Sequence, residues 1–438
     1  MDETRAAQPA RELALDLYRS AAVLLVVIGH WLLSVMTYRD GEFGRDNPLV
    51  LMPWTQWLTW FFQVVPVFFA VAGYASAVSW SRRPADGSES RQEWIRRRVA
   101  RTLGPTAVYA VAILAVIAAL MAAGISGAVL ELGGWAVAMH LWFLAVYLMV
   151  VALTPIAVAA HRRWGLAVPA VLCAGVVIVD VVGIGTGIPE IRMANYFFCW
   201  AAIYQLGIAW HGGLLCRRLL TAMAVFAALA LPALVTWGPY PIAMIGVPGD
   251  RVENSAPPSV ALLALALVQI GVLFALVPLL NRVLTRGAWP RMIGVANNNV
   301  MALYLWHMLP VIVVTLVGYP TGLLPQPPLG SAAWWLARLE WELVLAVVVA
   351  ALLALMAWQR RLFTPPIPTF AAPVSAAVAE GSLYLGTAAC ALALSLLSAA
   401  GFAPDGRFPV LVAVLFGAGA LLVGVRPKER SMVNRVAR

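Results

Sequence analysis

Stretches of about twenty apolar residues recur twelve times along this chain, and nothing else constrains its fold as strongly. A run of that length, at about 1.5 Å rise per helical residue, matches the roughly 30 Å of hydrocarbon in a bilayer. A soluble core has no use for so many. With 438 residues, 62% hydrophobic and only 11% charged, the chain carries more apolar surface than a soluble fold can cover. The fold class is therefore all-α, a polytopic transmembrane helical bundle. The runs predict spans near residues 13–35, 54–80, 101–124, 136–160, 165–187, 192–211, 214–237, 259–281, 296–318, 332–358, 377–402 and 408–425. The first run is too long, and too quickly followed by others, for a cleaved secretory peptide, and Asp2 and Glu3 beside Arg5 spoil its basic flank.

Charge orients the bundle. Counted over alternate loops, one side holds 24 of the 30 basic residues, including the seven from Arg82 to Arg101 and those from Arg426 onward. The other side has Arg39, Arg45, Arg192, Arg251 and Arg407, and Arg338 falls inside a span. The positive-inside rule makes the rich side cytoplasmic, with both termini there, in a multi-pass protein of the cell membrane. The net charge of +10 is thus a topological signal and an attraction to anionic membrane lipids, and no nucleic acid is implied. Thr364-Pro365-Pro366-Ile367-Pro368 through Pro373 interrupts the helices. It divides a domain at 1–361 from a two-helix hairpin at 362–438, in which Glu380 and Tyr384 read as a cap or an interfacial anchor. Cys173, Cys199, Cys216 and Cys390 have no paired spacing, and the five histidines form no metal-ligand repeat, so no metal is expected.

Ionisable groups inside apolar runs are where function concentrates. Asp16, Arg19 and His30 share the first run. Eleven residues return a helix to within about 20° of its starting direction, so Arg19 and His30 leave one face, about 16 Å apart along the axis. Three residues before Arg19, Asp16 can pair with it at i, i+3. The alternatives are a snorkelling arginine and a packed histidine. Between spans two and three, Arg91, Arg96, Arg97, Arg98 and Arg101 surround Trp94. Planar guanidinium forks suit the phosphates of a nucleotide, and a lipid-headgroup anchor is the competing reading.

Five stretches occur in order: Leu15-Asp16-Leu17-Tyr18-Arg19 with His30; Pro66 to Tyr74; Arg97-Arg98-Val99-Ala100-Arg101 with Pro105; His140-Leu141-Trp142-Phe143-Leu144; and Tyr304-Leu305-Trp306-His307. Together they resemble the integral membrane acyltransferase 3 family, whose members move acyl groups, often acetyl, from acyl-CoA to hydroxyls of sugars, cell-envelope polymers, lipids or metabolites. The resemblance implies a ten-helix core to residue 361, an intramembrane site of His30 and Arg19, and a donor site of Arg98 and Arg101 with Arg97. It also implies acyl-CoA, acetyl-CoA above all, as donor, and a hydroxyl-bearing glycan, lipid or metabolite as acceptor. Asp16, Trp142, Tyr304 and His307 take supporting places, Tyr304 and His307 being expected on one helix face. The chain departs from the family at Ala72, where a serine is frequent, and at Asn297-Asn298-Asn299, which is expected to cap span nine or to bind donor groups. A transporter or flippase for a glycan or lipid, and a scaffold with packed polar residues, are the readings from other classes.

Overall fold

The computed structural model describes residues 12–84, 89–363 and 366–428. The basic residues Arg5, Arg11, Arg430, Arg435 and Arg438, and Pro365 of the proline-rich break, lie outside them. Helices dominate, and the only sheets among the described residues are two-stranded. Among the described residues nine helical stretches are long and apolar enough to cross a membrane, and the bent pair Trp289–Trp306 and Met308–Gly318 makes ten. The other two expected spans form shorter helices of 17 and 15 residues, Asn195–His211 and Val410–Gly424. Asn195–His211 is buried along most of its length, so protein rather than lipid sets its limits.

Serine sets several helix starts. Ser90, Ser259, Ser331 and Ser375 each accept the amide N–H three residues on, from Glu93, Leu262, Trp334 and Val378. The cap at Ser90, with Glu93 at the third position, starts the third long helix at Arg91, ten residues before the expected span, and carries it without a break to Ala122. The arginine cluster is therefore helical.

Two compact units make up the chain. One comprises Met1–His30, Asn47–Ala75 and Trp164–Tyr304. Its centre is a crossing of the helices Val65–Ser81 and Asn195–His211, with Phe69 stacked on Trp200 at 4.7 Å between ring centroids. A β-carbon on Gly73 would lie 2.0 Å from the Tyr204 carbonyl oxygen, and one on Gly207 would lie 1.9 Å from that of Ala70. Only glycine permits this approach, the small-residue packing that holds helices together where lipid removes the hydrophobic drive. The first helix is tied into the same unit, where the Tyr18 hydroxyl donates to the Leu273 carbonyl at 2.8 Å. The loop after Trp237 is held by the Trp60 indole, which donates to the Ile242 carbonyl, and by Gln63, whose amide donates to that of Met244. Arg192 and Asp180 form a buried ion pair at 3.0 Å, and Asp180 also accepts from the Tyr240 hydroxyl and the Val260 amide.

The other unit comprises Trp31–Asp46, Ser76–Arg163 and Leu305–Arg438. It begins with an antiparallel hairpin, Val35–Arg39 with Glu42–Asp46. Gln326 bonds both the amide and the carbonyl of Tyr38, and the Arg45 guanidinium lies 4.2 Å from the Trp135 ring centroid. The expected span at 136–160 is instead divided into helices Gly127–Ala136, Trp142–Ala152 and Thr154–Trp164, with a 3-10 turn at Met139–Leu141. The C-terminal helices Ala376–Ala400 and Val410–Gly424 pack on each other, and the first of them also packs on Trp142–Ala152. Glu380 is an ion-pair partner of Arg91 and an acceptor for Gln92.

Candidate functional site

The first helix runs unbroken from Leu13 to Leu33, so Asp16, Arg19 and His30 keep the relation their spacing predicts. Arg19 is fixed from two sides. Its Nη2 lies 3.4 Å from the Asp16 carboxylate, and its Nε donates to Asn297 Oδ1 at 3.0 Å. Ser20 donates to the same Asn297 oxygen at 2.9 Å. One amide oxygen thus organises two neighbouring donors on the first helix. The Arg19 side chain keeps 33% of its surface exposed, so the tether leaves guanidinium N–H groups for a ligand.

Asn297 corrects the expectation of a cap. The helix starts at Trp289, eight residues before it, so the three asparagines lie in its interior. Asn299 donates to its own helix at the Val295 carbonyl, and the Asn297 Nδ2 is buried without a hydrogen-bond partner. Sequence reasoning singled out Asn297 as a cap or a donor-group ligand but missed its tie to Arg19, and missed Ser20, because these contacts span 278 and 277 residues. The one signal available was a run of three amides inside an otherwise apolar span.

His30 is half-buried near the end of the same helix. At the preceding Gly29, a β-carbon would meet the Phe62 ring at 3.3 Å, so the glycine admits that ring beside the last turn. The following residue, Trp31, donates its indole N–H to the His307 carbonyl at 2.8 Å, and its own carbonyl accepts from the Trp341 indole at 3.2 Å. Arg338 reaches the Ser34 carbonyl at 3.2 Å. The backbone on either side of His30 is therefore well determined.

Tyr304 and His307 do not share a face of one helix. Trp289–Trp306 ends just before His307, which becomes the residue preceding Met308–Gly318. Pro310 supplies the physical reason: it lacks an amide to donate to Trp306, and its ring crowds that carbonyl. Both side chains are buried, Tyr304 6% and His307 0% exposed. His307 instead meets His140, with ring centroids 4.9 Å apart and His140 2% exposed. Tyr109 contacts His140 and Trp306 edge-on. Trp142 opens its helix half-buried, in edge contact with Phe143.

The arginine cluster divides by partner. Arg91 pairs with Glu380 and Arg97 with Glu89. Arg96 is buried, bonded to the Val423 and Val425 carbonyls and to Glu93. These three fasten the helix. Arg98 is half-buried, 5.3 Å from the Trp94 ring centroid, and Arg101 is exposed one turn further along. At i, i+3 on a regular helix, those two present cations to the same surface.

Residues 12–358 match the acyltransferase 3 family, described as an acyltransferase domain. No curated protein and no solved structure matches the chain. With the family covering most of its length, and with its ionisable side chains on helices that the apolar pattern builds for a bilayer, the protein belongs to the acyltransferase 3 family of membrane acyltransferases.

Proposed function

We propose that the protein is an O-acyltransferase that moves an acyl group, acetyl on our reading, from cytoplasmic acyl-CoA to a hydroxyl of a glycan, lipid or metabolite. The observation that carries this reading is Arg19, tethered by Asp16 and Asn297 eleven residues from His30 on one unbroken helix. Ionisable groups are expensive at hydrocarbon depth, and this one is held in a fixed direction. The count of 24 of 30 basic residues on one side supports a cytoplasmic position for both termini and for the Arg98 and Arg101 surface.

In the proposed reaction the acceptor oxygen attacks the thioester carbonyl carbon while the His30 imidazole takes the hydroxyl proton. The tetrahedral oxyanion collapses, the carbon–sulfur bond breaks, and His30 returns the proton to the departing sulfur as the free thiol. No covalent enzyme intermediate is needed. Arg19 faces the developing negative charge or holds the pantetheine arm, and a preorganised donor in a water-poor site is worth far more than one in water. Arg98 and Arg101 bind the nucleotide phosphates. Arg97, committed to Glu89, has the smaller part. Asp16 positions Arg19, and Trp142, Tyr304 and His307 support the site.

The test is transfer of labelled acetyl from acetyl-CoA by membranes and by purified, reconstituted protein, with wild type, His30→Ala and Arg19→Ala compared. Label that reaches an acceptor only with the wild type supports the assignment. Equal labelling by His30→Ala refutes it, and acceptor movement across the bilayer without acetyl-CoA consumption identifies a transporter instead.

A further inference from the structure

The second unit contains a cavity of about 410 Å³ at the end of the helix Arg91–Ala122 remote from the arginines. Ile117, on its wall, lies nineteen residues beyond Arg98, about 28 Å along the helix axis. Its lining is apolar: Met36, Ile113, Ile117, Leu309 and Ile312 are representative. The volume falls within the range of pockets that enclose a ligand, and at about 30 Å³ per methylene-sized group it has room for roughly a dozen. Val116, Leu120 and Leu316 at its edge are 52%, 37% and 43% exposed on spans that the apolar pattern assigns to lipid, so it opens sideways toward hydrocarbon.

Two polar features set this cavity apart from an ordinary lipid-facing crevice. Thr315 lines it, is 2% exposed, and its hydroxyl has no hydrogen-bond partner. A buried hydroxyl without a partner is uncommon, because a threonine in a helix can usually bond its own backbone. Glu42, at the tip of the hairpin, is the one charged residue among those lining the cavity. Water is a poor occupant of so apolar a space. A chain from the surrounding bilayer is a good one.

We propose that this cavity binds one hydrocarbon chain of a phospholipid with an ammonium headgroup, admitted between Val116, Leu120 and Leu316. The ester carbonyl of the chain accepts from the Thr315 hydroxyl, and the headgroup lies toward the Glu42 carboxylate. This site is separate from the residues assigned to acyl transfer and does not depend on that assignment. The Arg45 contact with Trp135 and the Gln326 bonds to Tyr38 hold the hairpin in place above it.

The test uses the full-length protein in nanodiscs doped with phosphatidylethanolamine or phosphatidylglycerol carrying a diazirine in one chain. After irradiation, cross-links are mapped by mass spectrometry. Cross-links on the segments around Ile113 and Ile312 should exceed those at Val171 and Leu229, which are exposed on other spans, by at least about five-fold, with phosphatidylethanolamine the better probe. Ile117→Trp and Ile312→Trp fill the cavity from different helices and should each remove that excess with the melting temperature kept. Thr315→Val should weaken labelling by about two- to ten-fold, the worth of one hydrogen bond. Glu42→Gln should abolish the preference between headgroups. Labelling no greater than at Val171 and Leu229, or labelling that survives either tryptophan variant in a folded protein, overturns the proposal.

Discussion

Asn297 is the position at which the proposed site is most open to attack. Its Oδ1 receives one hydrogen bond from the Arg19 guanidinium at 3.0 Å and one from Ser20 at 2.9 Å. Asn297→Ala deletes that one acceptor and with it both bonds, leaving the Arg19 side chain its contact with Asp16 at 3.4 Å. A hydrogen bond to a charged group is worth about 1.5–3 kcal/mol, and the lower end applies here because Arg19 is one-third exposed. If that tether fixes the guanidinium for the transition state, losing about 2 kcal/mol lowers kcat/KM by about thirty-fold. The assay is the initial rate of acetyl transfer from labelled acetyl-CoA by reconstituted protein, with a melting curve for each variant. Asn297→Asp keeps an acceptor oxygen at the same place and should recover much of the rate. Asn299→Ala, which removes only a bond to the Val295 carbonyl of its own helix, should stay within about two-fold of wild type. Full activity in Asn297→Ala, or an equal loss in Asn299→Ala, would refute the claim that Arg19 acts through this contact.

Gly73→Ala and Gly207→Ala should each destabilise the protein by more than the usual 1–3 kcal/mol of overpacking, because the new methyl meets backbone oxygen at about 2 Å and the two helices must part; thermal unfolding in detergent reads this out, and an unchanged transition rules the crossing out. Asp180→Ala leaves Arg192 buried and unpaired, which costs about 3–5 kcal/mol, so a sharp fall in melting temperature and faster proteolysis of the loop after Trp237 are expected. Glu253, in that loop, has its pKa raised by burial and by the neighbouring Asp250, against an opposing pull from Arg192. A carboxyl that is a weaker acid when folded contributes its stability at low pH and loses it as pH climbs from the ordinary carboxylate range through the raised value. Wild type should therefore lose melting temperature relative to Glu253→Gln across that rise, and parallel curves for the two proteins contradict the assignment.

What the sequence made legible, and what it hid, follows from the range of the interactions involved. Apolar periodicity and length are local properties, and ten of the twelve expected spans correspond to helices or to a bent pair long enough to cross a bilayer. The spacing of Arg19 and His30 was equally local, and an unbroken helix preserves it. Breaks were harder. Pro310 was visible, yet the run from 296 to 318 reads as one span until the structure interrupts it at His307, because hydropathy does not register a lost backbone hydrogen bond. The same blindness misplaced the limits of the span expected at 136–160: the crossing stretch runs from Gly127 to Ala152 through a 3-10 turn at Met139–Leu141, and a separate helix begins at Thr154. Contacts far apart in sequence left no periodic trace at all. Asn297 and Arg19 are 278 residues apart, and His140 meets His307 across 167, so neither pair could be read from spacing. The arginine cluster shows the limit most sharply. Five similar side chains within eleven residues carry the same charge on paper, and only the fold shows that Arg91, Arg96 and Arg97 fasten helices while Arg98 lies near the Trp94 ring and Arg101 is exposed one turn further along. Charge composition could thus locate a densely basic helix. Which guanidinium groups fasten the helix is decided by carboxylates and carbonyls that the fold brings in from elsewhere, Glu380 and Val423 among them.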